Sequence, residues 1–97
     1  MIVKMTFTER FITYDEELDG NLYTIDFKDQ NGALGRIDFK KDSLDVEIVF
    51  IYVEKDKRRK GIATKMLTNL SERYNVIWDG RFTKEGRQLY ENWNKKN

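Results

Sequence analysis

Arg58-Arg59-Lys60-Gly61-Ile62-Ala63 stands between two segments of different period, and that placement decides how the rest of the chain is read. Before it, Val46 to Val53 is an apolar, strand-like run. After it, Ile62, Met66, Leu67 and Leu70 recur at i, i+4, i+5 and i+8, one helical stripe in a segment that continues to Tyr74. A strand, a short basic loop and a glycine at a helix start form a ready anion site. The first-turn N–H groups have no internal partners, and the helix dipole adds partial positive charge there. Gly61 lacks the Cβ that would hold a phosphate away from that backbone. A ligand carrying a pyrophosphate suits such a loop.

Upstream, the chain reads as an antiparallel meander. Met1 to Phe7 alternates loosely, and Phe11-Ile12-Thr13-Tyr14 continues or resumes a strand. Asp19-Gly20-Asn21 marks a turn. Leu22, Thr24, Asp26 and Lys28 then alternate with Tyr23, Ile25 and Phe27, the period of a half-buried strand. Asp29-Gln30-Asn31-Gly32 is a hairpin turn, and Ala33 to Lys40 returns with an irregular spacing around Gly35 that marks a bulge. Lys41-Asp42-Ser43 turns the chain into Leu44 to Val53, read as a central strand covered on both faces.

Downstream, Asn75-Val76-Ile77-Trp78 is a short strand stopped by Asp79-Gly80. The order strand–helix–strand calls for a right-handed crossover and hence a parallel pair. Thr83 caps a last helix in which Leu89, Tyr90 and Trp93 share a face, and Asn94 to Asn97 frays. The expected fold is α+β: a four-strand antiparallel meander, a helix, a parallel fifth strand and a C-terminal helix, in one domain over 1–97.

Composition narrows the chemistry. A length of 97 residues leaves room for one small core. There is no cysteine, which removes disulfides, zinc thiolates and thiol catalysis, and no histidine, which removes the usual general base and the commonest metal ligand. No metal site is expected. No apolar run reaches membrane-span length and no signal-peptide pattern opens the chain, so a cytoplasmic location is the default. Net charge is only +1, yet residues 1–50 carry 6 basic and 11 acidic side chains, and residues 51–97 carry 12 and 6. The second half is therefore the one suited to an anionic ligand.

The order of elements around the loop resembles the GNAT superfamily of acyl-CoA-dependent N-acyltransferases. That family carries an Arg/Gln-x-x-Gly-x-Gly/Ala signature between a strand and a helix, here Arg58 to Ala63 after Ile48-Val49-Phe50-Ile51-Tyr52-Val53 and before Thr64-Lys65-Met66-Leu67. Leu89-Tyr90-Glu91 is similar to a run on the family's later helix. The resemblance covers roughly residues 22–93. Two helices usual before the meander, and a closing strand pair after the tyrosine helix, have no counterpart in the pattern. The chain looks like a minimal, truncated member whose acceptor half is reduced or supplied by another chain, as in a homodimer.

The resemblance implies roles. Backbone amides from Arg59 through Lys60, Gly61, Ile62, Ala63 and Thr64 would hold the pyrophosphate of acetyl-CoA (coenzyme A). Arg58 would shape the loop or reach a phosphate. Backbone groups of Ile51, Tyr52 and Val53 would align the pantetheine arm like an added strand, one N–H polarising the thioester carbonyl. Tyr90 would protonate the departing thiolate. The family fixes no position for the base; Glu47 is the candidate, directly or through water, with Asp45 as the fallback. The expected activity is N-acetyl transfer to an amine, small or on a protein: a lysine or N-terminus, a polyamine-like amine, or an aminoglycoside-type compound. The acids of residues 1–50 would suit a cationic acceptor.

Blander readings stand beside these. The basic run can be a solvated loop or a nucleic-acid patch, although the acidic first half would repel a phosphate backbone. Tyr90 can be one more core aromatic and Glu47 a solvent-facing carboxylate. Trp78 and Trp93 read as core or interface residues. A non-catalytic binding module that kept the fold is the main alternative to an enzyme.

Overall fold

The computed structural model describes residues 5–58, 60–77, 88, 89, 91 and 93. Strands β1 (Thr6–Asp15), β2 (Gly20–Asp29), β3 (Gly32–Asp42) and β4 (Asp45–Val53) lead through a 3₁₀ turn at Lys55–Lys57 into helix α1 (Ile62–Ser71) and strand β5 (Asn75–Ile77). They form one sheet in the order β1-β2-β3-β4-β5. The first three pairings are antiparallel and β4 pairs β5 in parallel, as the crossover requires. Gln88, Leu89, Glu91 and Trp93 are helical. The α+β arrangement expected from the sequence is present. Among the described residues no helix is long and apolar enough to cross a membrane.

The tight turns follow from local chemistry. Asp15 Oδ1 accepts the Leu18 N–H at 3.1 Å, and Asp19 turns the chain at φ 51. Asp29 Oδ1 accepts the Asn31 N–H at 2.8 Å, and Gly32 takes φ 118. Short polar side chains that bond the backbone ahead of them are what such turns select.

Alternation then sorts the sheet into two faces. Ile25, Phe27, Ile37, Phe39 and Val46 point inward and pack on Met66, Leu67 and Leu70 of α1, with Leu34 and Trp93 closing the core. Thr24, Asp26, Arg36, Asp38 and Lys40 alternate with them and form the outer face. Gly35 lets β3 and β4 meet closely, since a Cβ there would run into the Tyr52 carbonyl oxygen and the Val53 backbone. The register skips Leu34 between Phe27↔Gly35 and Lys28↔Ala33, which is the bulge expected near Gly35.

Of the two readings of the first segment, the continuous strand is the one present: Ile12 is an extra residue between Phe11↔Tyr23 and Thr13↔Leu22, and that insertion breaks the alternation. Three details differ from the sequence reading. Leu44 is not in β4: Asp42 pairs Asp45, leaving Ser43-Leu44 as the turn, with Ser43 at φ 58. β4 is not covered on both faces, for Val49 and Phe50 are each 46% exposed and α1 lies on the inner side only. The helix stops at Ser71, short of Tyr74. There the N–H groups of Glu72, Arg73 and Tyr74 turn back onto carbonyls of Thr68, Asn69 and Leu70. Trp78, Asp79-Gly80 and Thr83 lie outside the described residues.

One polar cluster sits against the inner face. Glu9 on β1 accepts from Lys41 Nζ at 2.8 Å and from the Tyr74 hydroxyl at 2.8 Å. Burial and the bond to Glu9 raise the Tyr74 pKa above its usual value, against an opposing pull from Lys41. For Lys41, burial pulls the pKa down, but the bonds to Glu9 and Tyr74 outweigh it and the net direction is up. The cluster ties the edge strand to the end of α1 across 65 residues of sequence.

Candidate functional site

β4 ends at Val53, and its continuation is held by three bonds. The Glu54 N–H donates to the Leu34 carbonyl at 2.8 Å, the Lys57 N–H to the Glu54 carbonyl at 2.8 Å, and Arg58 Nε to the Val53 carbonyl at 3.0 Å. Arg58 therefore staples the loop back onto the strand. Gly61 is the N-cap of α1 at φ 72, ψ 16, and makes no side-chain cap bond. The first helical bond runs from Lys65 N–H to the Gly61 carbonyl at 3.1 Å, so the amides of the first turn face outward unpaired by the helix. No acidic residue occupies that turn, while Lys57, Arg58 and Lys60 surround it. Beside it lies a cleft of about 180 Å³ lined by Val53, Lys57, Arg58, the stretch Gly61 to Thr64, and Leu89. A Cβ on Gly61 would meet no atom within 4 Å. The glycine faces open space, as a backbone anion cradle requires.

A second feature lies on β4 itself. Phe39 pairs Ile48 and Asp38 pairs Phe50, so Val49 opposes nothing. This bulge falls just past the last described pair with β5, Glu47↔Ile77. Beyond it, Ile48 to Val53 have a strand neighbour only on the β3 side among the described residues. A bulge beside an open strand edge leaves backbone groups available to a ligand. The sequence reading missed it, although a signal was present. Removing Val49 leaves the β-branched residues Val46, Ile48, Ile51 and Val53 at every second position.

A family model for the acetyltransferase (GNAT) family matches residues 4–75, well over half of the chain and spanning both the loop and the bulge. The chain belongs to the GNAT family. The GNAT-family acetyltransferase SP0256 from Streptococcus pneumoniae TIGR4 is similar in structure. Its TM-score is 0.52 at 19% identity, over 94% of this chain and 86% of that one. At that identity the likeness is one of fold. No curated protein matches the chain. The GNAT fold is one that supports acyl transfer.

Within this GNAT sheet the expected site residues separate into four groups. Val53, Arg58, Gly61, Ile62, Ala63 and Thr64 line the cleft together, joined by Lys57 and Leu89, which had not been assigned to the cofactor. Ile51 packs inward on the core, Tyr52 points to the outer face with its hydroxyl 3.4 Å from Glu54 Oε2, and Lys60 is exposed; none of the three lines the cleft. Arg59 and Tyr90 lie outside the described residues, whereas Leu89, next to Tyr90, reaches the cleft. Glu47 stands on the outer face, 4.0 Å from Lys40 Nζ. Six residues of strand, roughly 20 Å, separate it from Val53, but it is two residues from the bulge. Asp45 accepts from Asn75 Nδ2 at 3.1 Å and is bound up in the β4–β5 pairing.

Proposed function

We propose that this chain is an acetyl-CoA-dependent N-acetyltransferase that passes the acyl group directly to an amine. The observation that carries this reading is the first turn of α1: uncapped, free of acid, flanked by cations, and opened by a glycine at positive φ that faces empty space. Those features fit a pyrophosphate. Amides from Arg59 to Thr64 would hold it, with Lys57 and Lys60 adding charge and Arg58 fixing the loop through Val53. The open edge of Ile51 to Val53 would align the pantetheine arm. Coenzyme A, when bound, presents the acyl group as an activated thioester.

The bulge at Val49 favours a site of carbonyl polarisation upstream from Ile51–Val53. An N–H released from the ladder there can act as the oxyanion donor, a role worth about 3 kcal/mol in acyl-transfer enzymes. Glu47, two residues away, would take the amine proton through a water, and Tyr90 would give a proton to the departing sulfur. The amine acceptor, and a homodimer that would complete its wall, belong to the same proposal.

Calorimetric titration of the pure protein with acetyl-CoA tests it, together with release of free thiol in the presence of an amine panel. Saturable binding and amine-dependent thiol release are expected. No heat at millimolar acetyl-CoA overturns the reading. Binding with no turnover on any amine, and no effect of Glu47→Gln or Tyr90→Phe in vivo, leaves a coenzyme A-binding module instead.

A further inference from the structure

The outer face beside the bulge has its own chemistry. Arg36 on β3 lies across from Tyr52, and its guanidinium carbon is 5.6 Å from the Phe50 ring centre and 5.8 Å from that of Tyr52. Two rings thus orient a planar donor fork before any ligand arrives. Asp38 is its ion-pair partner, but with Oδ1 3.7 Å from Arg36 Nε the pair is not hydrogen-bonded, and that oxygen already accepts from Thr24 Oγ1 at 2.6 Å. The Arg36 side chain is 48% exposed. Next to it Phe50 and the unpaired Val49 present apolar surface.

The acids on this face are already engaged. Asp26, across from Arg36 on β2, pairs Arg10; Asp38 pairs Arg36 and accepts from Thr24; Glu47 faces Lys40. A polyamine would meet carboxylates that the chain's own cations already neutralise.

We infer that this face is the acceptor site and that its acceptor is an amine of the amino-acid class, with Arg36 binding the carboxylate and Phe50 the apolar side chain. The inference rests on the acetyltransferase reading for the identity of the reaction, but the binding it describes does not need the donor. A guanidinium fork matches a carboxylate in a bidentate pair, which neither an amide nor a polyamine can form.

The test is an NMR titration of the ¹⁵N-labelled chain with L-phenylalanine, L-phenylalaninamide and spermidine, followed by acetyl-CoA in the same samples. Phenylalanine should shift the Phe50 amide and the Arg36 Nε resonance, and the amide should bind at least tenfold more weakly. Arg36→Gln should erase that preference and Arg36→Lys should keep part of it. Equal binding of acid and amide, no binding of either, or tighter binding of spermidine overturns the inference. So does an Arg36→Gln effect confined to acetyl-CoA, which would assign the guanidinium to a donor phosphate. Acetyl-CoA shifts at Gly61, Ala63 and Thr64 report separately on the donor reading. Their absence, with acid-selective binding intact, would sink that reading and leave this face as an amino-acid-binding site without the transfer reaction.

Discussion

Gly61 and Gly35 are both required, for opposite reasons. At Gly61 the requirement is backbone: φ 72 is a conformation that L side chains enter at a cost, and nothing stands near its missing Cβ. Gly61→Ala should therefore destabilise the fold by only about 1 kcal/mol. It should weaken acetyl-CoA binding by much more than that, because the methyl group enters the cradle. Urea denaturation beside calorimetry separates the two effects; equal affinity in the variant would contradict the cradle. At Gly35 the requirement is the neighbouring strand, since a Cβ would meet the backbone of Tyr52 and Val53, which cannot swing aside as a long side chain can. Gly35→Ala should cost about 2–3 kcal/mol, seen as a lower urea midpoint with an unchanged slope. Gly61 was legible in the sequence because its basic loop and helical stripe are local. Gly35 showed only as broken spacing, because its reason lies eighteen residues away across a register.

Among the elements, β4 carries the clearest test. Deleting Val49 removes the one residue that opposes nothing on β3, and every remaining side chain keeps its face. The deletion should leave the urea midpoint close to that of the parent and abolish acyl transfer while acetyl-CoA still binds at the α1 turn. Loss of the fold, or retained transfer, would count against the bulge as the carbonyl-binding position. The bulge escaped the sequence reading because six apolar residues in a row, Ile48 to Val53, read as a strand buried on both sides, whereas they are a strand of alternating faces with an insertion. The helix was legible for the converse reason: Met66, Leu67 and Leu70 are all fully buried on the predicted stripe. The cluster joining β1, β3 and the end of α1 had no local pattern, and it sets an alkaline limit. Tyr74 and Lys41 both have raised pKa values, from 10.0 and 10.5 in their ordinary states. The folded chain thus keeps protons that the unfolded chain releases. Their stabilisation is complete below about pH 10 and is lost as pH rises through the folded values. The Arg73 guanidinium, 6.0 Å from the Tyr74 ring, and Glu9 are the other charges facing the phenol. Urea midpoints should hold from pH 7 to 9 and fall above pH 10. Tyr74→Phe should lower stability at pH 8 by about 1.5 kcal/mol and show a shallower alkaline fall.

At the scale of the molecule, the core is off-centre with respect to the sheet. Its buried residues come from β2, β3, β4, α1 and Trp93, and none comes from β1. Among the described residues β1 is an edge, bonded along one side only, with Phe7, Phe11, Ile12 and Tyr14 between 41% and 54% exposed. What anchors it to the helical layer is polar, the Glu9 contact with Lys41 and Tyr74, together with Arg73 3.7 Å above the Phe7 ring. The sequence showed β1 only as a loosely alternating segment, and it could not show that α1 lies over β3, β4 and β5. A strand held by one ladder, half-exposed ring contacts of Phe7 with Phe27 and Phe11 with Tyr23, and a small polar cluster opens without unfolding the core, since local stability follows buried apolar contact. Native-state hydrogen exchange should therefore find the bonded β1 amides exchanging at least tenfold faster than those of β3, which is paired on both sides and covered by α1. Tyr74→Phe should widen that gap by loosening β1 while leaving β3 protection lowered only by the global loss. If β1 and β3 exchange together under conditions that resolve local opening, the sheet unfolds as one unit, and the polar cluster couples the edge to the core more tightly than its few bonds imply.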